Sequence, residues 1–284
     1  MRIRPMRPDD VDAVERLTAV AFGPDSPLGV HERTPEQRKR WTARLHHLLH
    51  VDPGGCWVCD DGGTVVGVAA AVRRDLLWVL STYAVEPEFQ GRGAGKALLE
   101  VAIAYGAGCL RGLICSTRDP RAVRRYRLAG FTLHPTMQLT GVVDRASLPI
   151  IDGVRAGTDG DLEFVDSVDR QVRGATHRPD HAYLQDYGQL LVCDMLTGRG
   201  YAYLDPSRVA LLAATSRAVA QRLLWAALAR TEPGTNVLIR SLTSDQEWAV
   251  DVGLAAGLQV EHDAYLALRH MRPPAPYIPS VSFG

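Results

Sequence analysis

The stretch with the most chemical potential is Gln90-Gly-Arg-Gly-Ala-Gly-Lys96. A strand ends at Val85, and Gly91, Gly93 and Gly95 then lead directly into an apolar-faced helix. Glycines let the backbone approach a ligand closely and turn successive N–H groups toward it. The helix N-terminus adds partial positive charge. Together they predict a pyrophosphate cradle built from backbone, with Arg92 and Lys96 adding side-chain charge. Lys96 is followed by Ala97 rather than Ser or Thr, which excludes a nucleoside-triphosphate P-loop. The loop also comes late, after a hairpin, which excludes a dinucleotide fingerprint.

Other clusters carry less. Cys56-x-x-Cys59 has no partner pair, and on a strand its two thiols face opposite ways, so buried thiols are expected. His46 and His50 stand at i, i+4 on a helix, a spacing that can hold zinc. No third ligand accompanies them, so a solvated or substrate-lining face is expected, and no metal site. Arg121, Arg124 and Arg125 could steer phosphates or simply make an exposed basic face.

The elements that position the glycine loop read as follows. Asp9 and Asp10 open an amphipathic helix with Val11, Val14, Leu17 and Val20 at helical spacing, and Gly23 to Gly29 is a loop. Thr34-Pro35 with Glu36 starts a second helix to about His50. Cys56–Cys59 and Val65–Val72 form a hairpin about Asp61-Gly-Gly. Leu76–Val85 is a strand, Gly93–Tyr105 a helix, Leu113–Ser116 a strand, Asp119–Ala129 a helix and Phe131–Val142 a strand.

After a linker at Asp144–Asp152 the same order returns. Asp161–Val172 is a helix, Leu190–Met195 and Tyr201–Leu204 a hairpin, and Val209–Ala213 a strand. Ala218–Ala229 is a helix, Val237–Ile239 a strand, Glu247–Ala256 a helix and Leu258–Leu268 a strand. Arg127-Leu-Ala-Gly-Phe-Thr matches Leu254-Ala-Ala-Gly-Leu-Gln, and Leu98-Leu-Glu-Val-Ala-Ile-Ala matches Leu223-Leu-Trp-Ala-Ala-Leu-Ala. A period of about 130 residues is a duplicated domain, not a solenoid unit. The expected domains are 1–143 and 153–284.

With these motifs in place, the first half resembles the GNAT acetyltransferase superfamily. Gln90-x-x-Gly93-x-Gly95 is similar to its acyl-CoA motif. Asp119-Pro-Arg-Ala-Val-Arg-Arg-Tyr126-Arg-Leu-Ala-Gly130-Phe131 resembles its later Asn-x-x-Ala-x-x-x-Tyr-x-x-x-Gly-Phe. The resemblance implies an α/β (α+β) chain of two fused GNAT folds, each a mixed, mostly antiparallel sheet flanked by helices. It implies acetyl-CoA as co-substrate, in a V between the strands ending at Val85 and Ser116. Backbone groups of Tyr83 and Val85 would hold the acetyl carbonyl and pantetheine arm. Gln90, Gly91, Arg92, Gly93, Ala94, Gly95 and Lys96 would hold the pyrophosphate, and Asp119 would accept from pantetheine amides. Tyr126 would protonate the departing thiolate. Asp119 stands where Asn is common, and a carboxylate cannot donate as Asn does.

The implied reaction is direct acetyl transfer to a primary amine of a small molecule. A non-catalytic acyl-CoA-binding scaffold and a protein N-acetyltransferase are the alternatives. The general base stays open among Asp75, Glu86, the Gly284 carboxylate and water. Trp41, His46, His47 and His50 border the expected acceptor side. In the second copy, Thr215-Ser-Arg-Ala-Val-Ala holds no glycine and Gly253 stands at the Tyr126 position, so that copy is expected to be structural or cleft-closing. The proline-rich tail Met271–Ser280 is stiff enough to lie along a surface.

Composition narrows the partners. Lys plus Arg and Asp plus Glu both number 32, so the basic excess of a sequence-independent nucleic-acid binder is missing. The longest apolar run, Val65–Val72, is too short for a bilayer, and the first eight residues hold no apolar signal core. Five cysteines without framework spacing fit a reducing cytoplasm. A two-fold homodimer is the default assembly.

Overall fold

A computed structural model describes residues 1–22 and 33–284. The loop expected at Gly23–Gly29 lies outside the described residues. The chain divides into two compact units: unit 1 is Met1–Ala129 with Ser282–Gly284, and unit 2 is Gly130–Val281.

Unit 1 runs β1 (Arg2–Pro5), α1 (Val11–Ala21), α2 (Pro35–Val51), β2 (Cys56–Asp61), β3 (Thr64–Arg74), β4 (Leu77–Val85), α3 (Ala94–Tyr105), β5 (Arg111–Cys115) and α4 (Pro120–Leu128). Its strands lie in the order β1-β2-β3-β4-β5. Neighbours are antiparallel, except that β4 and β5 are parallel. Helix α2 starts where Thr34 accepts from the Gln37 amide and Gln37 bonds back to the Thr34 amide, with Pro35 at the first helical position. The β2–β3 hairpin turns on Gly62 and Gly63, both at positive φ. Strand β3 is buried on both faces from Val65 to Val72, because α3 and α1 both pack against it. That is why it reads as a continuous apolar run rather than an alternation. Trp78 anchors β4, with its indole N–H bonded to the Ala102 carbonyl at 2.8 Å.

Unit 2 contains β6 (Thr132–Val142), β7 (Val154–Ala156), α5 (Leu162–Val172), α6 (His181–Tyr187), β8 (Gln189–Met195), β9 (Gly198–Asp205), β10 (Arg208–Ala214), α7 (Arg217–Arg230), β11 (Asn236–Leu242), α8 (Glu247–Ala255), β12 (Gln259–Arg269) and β13 (Tyr277–Ile278). The strand order is β12-β6-β11-β10-β9-β8-β7, with β13 added to β10. Again one pair, β10 and β11, is parallel. The core is Leu, Val and Ala from β9, β10 and α7, closed by Trp248 of α8.

Two features depart from the expected organisation. The unit boundary falls at Ala129/Gly130 rather than after residue 143. The physical reason is that β6 is paired along both edges, to β11 and to β12, and is thereby part of unit 2. Ser282–Gly284 pack into unit 1, so the second unit does not extend from 153 to 284. Strand β13 and helix α6 were not anticipated.

Candidate active site

Strands β4 and β5 pair only at Leu77–Arg111, Trp78–Gly112 and Val79–Leu113. Beyond Val79 and Leu113 they part. The local cause lies in β4: Ala70 of β3 faces Thr82 and Ala71 faces Leu80, which leaves Ser81 as an extra residue. Such a bulge bends a strand and increases its twist. No residue type in this stretch announces the bulge, and Ser81 was absent from the expected site. Its hydroxyl is buried without a hydrogen-bond partner.

The backbone of β4 faces this split. The Glu86 amide donates to the Val66 carbonyl at 3.0 Å. By the two-residue period of a strand, the polar groups of Tyr83 and Val85 therefore turn away from β3. The Val85 carbonyl accepts from Gln90 Nε2 at 2.9 Å. Gln90 is thus folded back onto β4, positioning the loop, while its Oε1 is buried without a partner.

At the open end stands the glycine loop. Gly91 and Gly93 have φ of +78° and +93°, and a Cβ at either would meet nothing within 4 Å. Gly93 is the residue before α3, and no side chain caps that helix. The first-turn amides of α3 therefore have no internal partner by helix geometry. Gly95 serves a different purpose: a Cβ there would lie 2.6 Å from the Tyr83 hydroxyl, which donates to the Gly95 carbonyl at 2.7 Å. Arg92 lies over the Phe89 ring, and Lys96 is exposed beside Glu100 at 3.8 Å.

Tyr126, on α4, is 4% exposed. Its ring centroid is 6.0 Å from that of Tyr83. Burial, then the neighbouring Tyr83 and Asp119, holds its hydroxyl above the ordinary phenol range. Burial also raises Tyr83, to about 12. Asp119 caps α4, accepting from the Arg121 amide at 2.9 Å and from its guanidinium at 3.0 and 3.2 Å. Partial burial alone would raise its carboxyl, but Arg121 holds it below the usual carboxylate range.

The remaining candidates separate by position. Asp75 sits in the turn before β4, six residues from Ser81 and so roughly 20 Å away, at the paired end of the split. That removes it from the acid–base set. Glu86 stands at the open end. His46 and His50 are exposed, whereas the His47 ring meets Phe283 edge-on at 5.7 Å. Trp41 is held between Arg33 and Arg44, at 3.7 and 4.0 Å from the ring centroid. Arg44 donates to Thr82 of β4 and to Ser282 at 3.3 and 2.6 Å. A Cβ on Gly284 would touch Val79 and Leu113, the last paired residues before the split. Cys56 and Cys59 are buried on β2, and burial raises the Cys56 thiol to about 12.

Among the described residues, the one set of side chains close enough for a metal is Asp166, Asp169 and His181 in unit 2. Its polar atoms are already engaged: Asp166 with His181 and Arg178, Asp169 with His177 and Tyr201.

Residues 18–131 match the model of the acetyltransferase (GNAT) family. No curated protein matches the chain at a significant level. Among solved structures, a candidate acetyltransferase from Pyrococcus horikoshii superposes with a TM-score of 0.79 at 15% identity, covering 100% of this chain and 95% of that one. A GCN5-related N-acetyltransferase from Sphaerobacter thermophilus gives 0.62 at 16% identity, covering 96% of each chain. Another from Kribbella flavida gives 0.59 at 18%, covering 94% of this chain and 71% of that one. At these identities the likeness is one of fold.

Proposed function

We propose, from the match of residues 18–131 to the acetyltransferase (GNAT) family model, that unit 1 moves an acetyl group from acetyl-CoA to a primary amine of a small molecule. The observation that carries the reading is the parting of β4 from β5 after Val79 and Leu113, with the backbone of Tyr83 and the Val85 amide turned into the gap, the Val85 carbonyl being held by Gln90. Buried backbone groups require partners. An amide-bearing arm supplies them, and the uncapped α3 N-terminus beside Gly91 and Gly93 suits the pyrophosphate at its far end.

The thioester supplies an activated carbonyl when bound. The amine nitrogen attacks that carbonyl, the carbon–sulfur bond breaks, and the nitrogen gives up a proton. The chain's residues divide the rest. Amides of β4 orient the carbonyl and stabilise charge developing on its oxygen. Tyr126, kept protonated by burial, gives a proton to the leaving sulfur. Glu86 or water at the open end takes the proton from the amine. Trp41, His47 and Phe283 line the acceptor side.

The test is thiol release from acetyl-CoA with a panel of amines. Tyr126→Phe should lower kcat by about 10²-fold or more while acetyl-CoA affinity stays within about twofold, because the hydroxyl acts only as the bond breaks. Unchanged kcat would remove Tyr126 from the mechanism.

A further inference from the structure

Unit 2 repeats the split and closes it with its own chain. The parallel pair β10 and β11 meets only at Arg208–Leu238. Backbone groups exposed beyond such a parting must find partners. Here they find β13. Leu212 lies opposite Ile278 and Ala213 opposite Tyr277, antiparallel, and the Ala214 amide donates to the Pro276 carbonyl at 3.3 Å. Strand β13 also packs against β11. The internal repeat matches Ala213-Ala214 to Ala84-Val85. The backbone position that faces the gap in unit 1 as Val85 is therefore bonded, in unit 2, to the tail.

Side chains lock this strand in place. Tyr277 and Ile278 are each 1% exposed. The Tyr277 amide donates to Gln246 Oε1 at 3.0 Å, and Gln246 Nε2 donates to the Pro274 carbonyl at 2.8 Å. Arg173, itself buried, donates to the Tyr277 hydroxyl at 3.3 Å. The following helix is closed too. The Ser216 side chain accepts from the Val219 amide, capping α7. A Cβ on the nearby Gly198 would lie 2.7 Å from the Ser216 hydroxyl, so little open space adjoins that cap.

We propose that unit 2 is a self-occupied copy of the acyl-CoA fold, in which β13 takes the place that the pantetheine arm takes in unit 1, so that the chain binds one acyl-CoA. This rests on the proposed use of the unit 1 split. The test is residue-resolved hydrogen exchange on the full chain, free and with acetyl-CoA, together with binding stoichiometry. In the free protein, Ala214, Tyr277 and Ile278 should exchange at least about 100-fold more slowly than an unstructured chain. Acetyl-CoA should slow exchange at Gln90–Lys96, leave Leu212–Ala214, Tyr277 and Ile278 unchanged, and bind one per chain. Gln246→Ala should quicken exchange at Tyr277 and Ile278 while the Gln90–Lys96 response persists. Fast exchange at β13 in the free protein, a ligand response at Leu212–Ala214, or two sites per chain would overturn the proposal. Slow exchange at β13 with no response at Gln90–Lys96 would instead refute the function proposed for unit 1 and leave the self-occupied split standing.

Discussion

Single residues were legible where their chemistry is local. The spacing of Gly91 and Gly93 before α3 predicted a loop leading into a helix from residue types alone, whereas the acid role proposed for Tyr126 came from the family resemblance. Roles that depend on a partner's approach were not legible: Gly95 makes room for the Tyr83 hydroxyl, and Gln90 turns back to Val85. Asp119 acts on its own helix. Asp119→Asn keeps the cap and loses an exposed pair, so thermal unfolding should report less than about 1 kcal/mol of change. Tyr83 carries the pH signature. Its folded value is raised to about 12, so its contribution to stability is complete below the ordinary phenol value and is lost as pH rises through the raised one. Wild-type protein should lose stability between pH 10 and 12 more steeply than Tyr83→Phe, as denaturant unfolding at each pH would record.

At the scale of elements, the hydrophobic patterns located the helices other than α6 and most strands of both halves, because α1 and α5 each bury one face and β3 is a continuous apolar run. They could not reveal the parting of β4 from β5, which depends on a one-residue bulge at Ser81. Nor could they reveal β13, two residues in a proline-rich tail whose pairing is set by a strand far away in sequence. The α3 loop makes two predictions. Arg92→Ala and Lys96→Ala should each weaken acetyl-CoA binding about three- to tenfold and reduce its salt dependence, since both act through charge. Gly95→Ala should destabilise unit 1 by about 1–3 kcal/mol, because its Cβ would lie 2.6 Å from the Tyr83 hydroxyl. Tyr83→Phe in the same chain should recover part of that loss in a double-mutant cycle.

At the scale of the molecule, the duplicated order in the sequence predicted two domains, and the chain divides into two compact units. The boundary was misplaced because pairing along both edges of β6, invisible to local pattern, assigns it to unit 2. The last residues are equally non-local. Phe283 is 1% exposed in unit 1, so Phe283→Ala should cost about 3–5 kcal/mol, read as faster amide exchange in β4 and β5.

The most direct measurement of the central claim is calorimetric titration of the folded wild-type chain with acetyl-CoA, with the Arg92→Ala, Lys96→Ala chain alongside. The account predicts micromolar binding that weakens roughly tenfold or more in the double variant. Folded wild-type protein that takes up no acetyl-CoA would contradict it.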